Sequence, residues 1–330
     1  GNGTCDATTM HDYHYPLYTA MFSLVLILGL PLNGISIWFL LRRLRQPTAP
    51  LVYMVNLALS DLLFLLSLPL RIYYFAQASW NLYNIFCAIA GTLFSVNIYS
   101  STSLITLISL DCYLAIVYPL RSQWLRIPMA AKMACGMVWL LILAISIPIR
   151  LLLTPSKGKC NITYCFENHT MQTWKYAFTL LIVTTFVYYL LPFALIVFCT
   201  GAVVKKLASY KSERCPIDKR KVILLFISNL LVYSLCFLPF CIVLILCSLQ
   251  RAGMGSAILE TLSPMLVTLC LSSANSCLDP IIYYFAMDTI SRIKGYFNYI
   301  LTQLKRSKAW DHNSTMAMST EETVPAIEEE

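Results

Sequence analysis

The chain has 330 residues, 58% of them hydrophobic and only 12% charged, with a formal net charge of +8 at pH 7. A charged fraction about half that of an ordinary soluble domain excludes a water-soluble globule and places the chain in a bilayer. The excess of 24 Lys and Arg over 16 Asp and Glu suits membrane insertion and requires no nucleic acid.

A hydrocarbon core about 30 Å thick takes about 20 apolar helical residues at roughly 1.5 Å each. Seven stretches reach that length: Tyr18 to Leu41, Leu51 to Ala76, Asn84 to Val117, Lys132 to Leu153, Lys175 to Val204, Val222 to Leu249 and Ala257 to Ala286. Short connections predict an all-α membrane protein, one bundle of seven transmembrane helices over residues 18–286. Residues 1–17 lack the charged start and small-residue cleavage site of a signal peptide and read as an exposed tail. Residues 287–304 read as a short amphipathic helix on the inner membrane surface, where Ile293, Tyr296, Phe297 and Ile300 meet lipid beside Arg292 and Lys294. Residues 305–330, ending in a run of Glu, read as a disordered tail.

Orientation follows from the basic residues. Arg42, Arg43 and Arg45, then Arg121, Arg126 and Lys132, then the cluster from Lys205 to Lys221, then Arg292 to Lys308 share one side, which is the cytoplasmic one. The amino terminus is then extracellular, as expected for a multi-pass protein of the plasma membrane. The glycosylation sequons at Asn2, Asn161 and Asn168 fall on that outer side, while a fourth match at Asn313 falls inside and is expected to stay unmodified.

Of 13 cysteines, Cys5, Cys87, Cys160 and Cys165 lie in or beside the oxidising compartment. An even number permits two bridges. Cys87 with Cys165 would staple the loop before the fifth span across the bundle, and Cys5 with Cys160 would tie down the tail. Cys236, Cys241 and Cys270 read as packing residues.

Polar groups inside a bilayer are costly and so mark partners or purposes. Asn33, Asp61, Ser101, Asn275, Ser276 and Asp279 are expected to converge at mid-depth. Two carboxyl groups in one low-dielectric site favour a shared proton or a bound cation, with sodium near Asp61 the candidate; the alternative is a hydrogen-bonded network that only joins helices.

The ordered set of Asn33, Asp61 in Asn56-Leu57-Ala58-Leu59-Ser60-Asp61, Leu110-Asp111-Cys112-Tyr113, Trp139, Pro192, Cys236-Phe237-Leu238-Pro239 and Asp279-Pro280-Ile281-Ile282-Tyr283 resembles the rhodopsin-like, class A family of G-protein-coupled receptors. The resemblance covers almost the whole chain. It implies a two-state switch in which an outer ligand biases Tyr233 and Phe237, the helix kinked at Pro239 swings outward at its inner end, and Tyr283 repacks beneath Pro280. Heterotrimeric G protein would meet the basic third inner loop, and Ser319, Thr320 and Thr323 would recruit arrestin once phosphorylated. One residue departs from the pattern: the family places Arg after the acid of the third span, and this chain has Cys112, which has neither the charge nor the five-donor fork. Weak coupling that strengthens in Cys112→Arg is expected.

Charge narrows the ligand. Ala88 to Ser103 contains no acid to hold a cationic amine, and no Lys lies between Ala257 and Ser291 to form a retinal Schiff base. Arg71 lies about ten residues, roughly three turns, past Asp61 and should point into the bundle, where a guanidinium suits phosphate or carboxylate. Leu68-Pro69-Leu70-Arg71-Ile72-Tyr73-Tyr74, Cys165-Phe166-Glu167 with Thr173-Trp174-Lys175, and Ser248-Leu249-Gln250-Arg251 resemble the purinergic-like lysophosphatidic acid receptors. Two further segments, Pro155 to Cys160 and Gly29 to Asn33, look closest to the fifth subtype. That resemblance implies a lysophospholipid whose phosphate is gripped by Arg71, Lys175 and Arg251, with its acyl chain lined by Phe94, Tyr99, Tyr188 and Tyr189. The third outer loop, Ala252 to Ser256, lacks the second staple expected of this branch, and Asp288 to Leu304 lacks a Cys to palmitoylate.

A nucleotide receptor is the alternative within the family, and a transporter or channel the alternative outside it. No inverted repeat points to transport. No nucleophile with its base points to an enzyme, and no cofactor beyond a structural sodium ion is expected.

Overall fold

A computed structural model describes residues 14–45, 47–152, 156–157, 163–165, 182–209, 219–251, 267–282, 284, 286–287 and 295. Asn2, Cys5, Cys160, Asn161, Asn168, Lys175, Tyr283, Asn313, almost all of the 287–304 segment and the 305–330 tail lie outside them, as does the side chain of Arg251.

Among the described residues, six helices are long and apolar enough to cross a membrane, and a shorter apolar one, Val267–Ile282, follows. The first helix is His14–Arg43, the second Ala49–Gln77, the third Asn84–Val117 and the fourth Pro128–Leu152. The fifth runs over Ile182–Ser209, the sixth is Lys219–Cys236 followed by Leu238–Arg251, and Val267–Ile282 belongs to the seventh. The third helix has the expected bounds. The first, second and fourth begin two to four residues before the apolar runs do, because backbone hydrogen bonds continue where hydropathy stops.

Helix ends have local causes. Pro50 lies in the first turn of the second helix, where its missing N–H costs nothing, and that helix stops at Ala78, held at φ 53°. Arg42 and Arg43 close the first helix, where cations suit the dipole, and the Arg42 guanidinium lies 3.8 Å from the Trp38 ring centroid. Among interior prolines, Pro192 and Pro239 coincide with irregularities. A π-helical turn, Phe186–Leu190, precedes Pro192, and the sixth helix breaks at Phe237, two residues before Pro239.

The third helix is the axle of the bundle, packed against the second, fourth, fifth and sixth. On the outer side, Ser156–Lys157 pairs antiparallel with Thr163–Tyr164, and Trp80 N–H donates to the Thr163 carbonyl at 2.9 Å. The Cys87–Cys165 disulfide then pins this hairpin to the top of the third helix, as the sequence leads one to expect. At mid-depth the first helix meets its neighbours at Gly29, where a Cβ would lie 2.7 Å from Leu65 Cδ2 and 3.3 Å from Cys277 Sγ. Only a glycine admits that approach without a shift.

Candidate functional site

Three layers of functional side chains stack along the third helix. The outer layer centres on Arg71, which is 4% exposed, with Nη2 donating to the Ala90 carbonyl at 3.3 Å and the guanidinium 4.4 Å from the Phe94 ring centroid. Arg71 therefore faces the third helix, as its spacing from Asp61 requires. From Phe94 a chain of ring contacts descends: Phe94 to Phe240 at 6.5 Å, Phe240 to Tyr189 at 6.1 Å, Tyr189 to Tyr99 at 6.2 Å, and Tyr99 stacked on Tyr188 at 4.6 Å. Phe94, Tyr99, Tyr188 and Tyr189 thus come together with Arg71. Phe240, absent from the sequence reading, joins them because it lies about two turns past the buried Tyr233, on the same inward face of the sixth helix.

The switch residues sit directly below. Pro192 supplies no N–H to the π-helical turn, and the Tyr233 hydroxyl donates across from the sixth helix to the carbonyls of Tyr189 at 2.9 Å and Tyr188 at 3.3 Å. Tyr233 packs on Phe237 at 5.4 Å and on Phe193 at 6.0 Å. One bifurcated hydroxyl so ties the irregular part of the fifth helix to the broken part of the sixth.

The middle layer is the polar cluster. Asp61, fully buried, accepts at Oδ1 from Asn97 Nδ2 at 2.9 Å and from Ser276 Oγ at 2.8 Å. Asp279 of the seventh helix accepts at Oδ2 from Asn275 Nδ2 at 2.7 Å. Pro280 leaves the Ser276 carbonyl without its helical donor, and Asn33 Nδ2 fills the gap at 2.6 Å while also donating to Gly29 O at 3.0 Å. Ser101 is buried but its Oγ makes no hydrogen bond among the described residues, whereas Asn97, one turn above, donates to Asp61. Asn97 is the one carboxamide in the interior of the third span, and its cost in lipid is the signal that identifies it. Among the described residues, Asp61 Oδ2, Ser101 Oγ and Asn275 Oδ1 have no hydrogen-bond partner. On the flank, Trp139 Nε1 donates to Asn56 Oδ1 at 3.0 Å, linking the fourth helix to the second.

The inner layer holds Asp111, 5% exposed, and Cys112, 3% exposed. Arg126, from the second inner loop, approaches Asp111 with Nε 3.5 Å from Oδ1. A cavity of about 10 Å³, close to the room one water needs, separates the inner and middle layers and is lined by Met54, Leu57, Asn229 and Asp279 among others.

This arrangement has relatives. Residues 32–283 match the family described as 7 transmembrane receptor (rhodopsin family). The chain is 36% identical over 331 residues to lysophosphatidic acid receptor 6 of Homo sapiens, covering 92% of this chain and 96% of that protein. It is 38% identical to lysophosphatidic acid receptor 5 of Bos taurus, over 85% of this chain and 79% of that one. Against lysophosphatidic acid receptor 4 of Mus musculus the identity is 33%, over 100% and 89%.

Proposed function

The chain belongs to the rhodopsin family of seven-transmembrane receptors, and from that premise we propose that it is a plasma-membrane receptor for an anionic lysophospholipid, most directly lysophosphatidic acid, signalling through heterotrimeric G proteins. The observation that carries this reading is Arg71: a guanidinium inside the outer half of the bundle, resting on Phe94 at the head of a run of aromatic rings. Phosphate pairs bidentately with such a group, and an acyl chain is at home among phenylalanine and tyrosine faces. Lys175 and Arg251 complete the head-group site in this reading, with the amino terminus outside and glycans on Asn2, Asn161 and Asn168. Residues 18–286 form the signalling bundle, 1–17 the outer tail, 287–304 the membrane-surface helix and 305–330 the cytoplasmic tail that arrestin reads.

The mechanism follows from the stacked layers. A lipid that binds more tightly when Phe94, Phe240 and Tyr189 are rearranged shifts the population toward that arrangement by its difference in affinity, and by nothing else. Phe240 and Tyr233 lie on either side of the break at Phe237, so movement of the upper sixth helix alters the hydroxyl that holds the fifth. The inner end of the sixth helix then moves away from the third and opens a surface for the G protein. A sodium ion, if held by Asp61 with Ser101 and Asn275, would stabilise the closed cluster by neutralising its carboxylate.

Binding of radiolabelled lysophosphatidic acid to membranes carrying the receptor tests the reading. Arg71→Ala is expected to weaken binding about 10- to 100-fold, the range of lost charged hydrogen bonds, and Arg71→Lys to restore part of it. Unlabelled lysophospholipid should displace the label, and adenine nucleotides should not. Equal affinity in Arg71→Ala overturns the head-group assignment, and displacement by nucleotide overturns the ligand class.

A further inference from the structure

Arg126 has no part in the mechanism above. It belongs to the connection between the third and fourth helices, and that connection is built to place it. Tyr118 N–H closes on Leu114 O at 3.1 Å, Ser122 N–H on Tyr118 O at 3.2 Å, and Arg126 N–H on the carbonyls of Ser122 at 3.2 Å and Gln123 at 3.3 Å. The Ser122 hydroxyl donates back to Leu114 O at 3.2 Å and to Tyr118 O at 2.9 Å, and Ala131 N–H reaches Ile127 O at 3.2 Å as the fourth helix begins. The loop therefore doubles back along the third helix and delivers a guanidinium, 15% exposed, to the 5% exposed carboxylate of Asp111. The adjacent Cys112 is buried and brings no charge.

We propose that the Arg126–Asp111 pair is a latch that fastens the second inner loop to the base of the third helix and holds the receptor in the form closed to G protein. Two features suit a latch rather than a permanent brace. The cation comes from a loop, so it can leave without disturbing a helix, and it retains some exposure, so water receives it when it does. Asp111 is more deeply buried, and losing its partner would leave a carboxylate in a poorly solvated place. That asymmetry favours reclosure. Cys112 has no charge with which to compete for Asp111, so the loop is the natural supplier of the cation, and Cys112→Arg would place a rival guanidinium beside the same carboxylate. Regulation by the loop rests on the G-protein reading above; the contact itself does not.

The test uses the full receptor in lipid nanodiscs with Arg126→Ala, Arg126→Lys, Asp111→Asn, the Arg126→Ala/Asp111→Asn double variant and the Asp111→Arg/Arg126→Asp exchange. Amide hydrogen exchange over residues 118–127 reads the loop, and nucleotide exchange on purified G protein, with and without lysophosphatidic acid, reads its consequence. Arg126→Ala and Asp111→Asn should each speed loop exchange and raise basal nucleotide exchange by about two- to fivefold, the range of a partly exposed ion pair. The double variant should add nothing, and Arg126→Lys should sit near the native receptor. Restoration by the charge exchange would separate pairing from mere packing. Unchanged loop protection in Arg126→Ala, additive effects in the double variant, or no rescue by lysine overturns the latch. If no variant, nor the native receptor, promotes nucleotide exchange even with agonist, the G-protein reading fails, and loop protection still decides whether the pair fastens the loop.

Discussion

The second and third helices bury 67% and 72% of their most apolar stretch inside the bundle, whereas the first and fourth bury 22% each. The four are similarly apolar, and the first outranks the third in mean hydropathy. Hydrophobicity therefore decides which segments enter the bilayer and is silent on which lie at its centre. Lipid tails receive Leu and Ile as readily as a protein interior does, so apolar surface alone gives no drive toward the middle of the bundle. Position is set by groups that lipid does not welcome, such as Asp61, Asn97 and Arg71, and by small residues that admit a close neighbour.

The largest effect should come from Gly29, the point where the lipid-facing first helix is anchored to the buried second helix and to the seventh. Leu65, which a Cβ there would meet, has no exposed surface into which to retreat. Gly29→Leu should cost about 3 kcal/mol, the upper part of the usual overpacking range, and lower the melting temperature of the solubilised receptor. An unchanged melting temperature would mean that the first helix contributes nothing to the bundle it borders.

The polar cluster sharpens the contrast from the other side. Asn97→Ala removes a donor from a carboxylate that water does not reach, a loss expected to cost about 1–3 kcal/mol in a reversible detergent-unfolding titration. Ser101→Ala should cost less, because Ser101 Oγ makes no hydrogen bond among the described residues. Equal losses would restore Ser101 to the place its sequence position suggests.

The legibility of this molecule divides along the same line. The number and order of spans, the bounds of the third helix and the inward Arg71 could be read because each depends on local spacing or on the cost of a group in lipid, and the Cys87–Cys165 bridge because few cysteines lie on the oxidising side. Asp61, Ser276 and Asp279 were readable as neighbours for the second reason. Asn97 answers to the same cost, as the carboxamide in the interior of the third span. Phe240 also answers to local spacing, since it lies about two turns past the buried Tyr233 on one face of the sixth helix. Arg126 could not be found this way: it reads as one more charge setting orientation and meets Asp111 only because the loop folds back on itself. Such contacts arise from tertiary geometry, which neither periodicity nor composition encodes.

The smallest expected effect tests the lipid-facing side itself. Gly136 on the fourth helix is exposed, and nothing lies within 4 Å of the Cβ it would gain, in contrast to Gly29. With no neighbour to displace, Gly136→Ala should act only through backbone freedom and helix propensity, stabilising by up to about 1 kcal/mol. A rise of a few degrees or no change in melting temperature fits a helix whose outer face meets only lipid. A loss comparable to that of Gly29→Leu would require a close backbone neighbour at Gly136. No described residue of this chain supplies one, and the first candidate to seek would be a helix of another molecule, drawn in by the same small-residue packing that holds the first helix against the second.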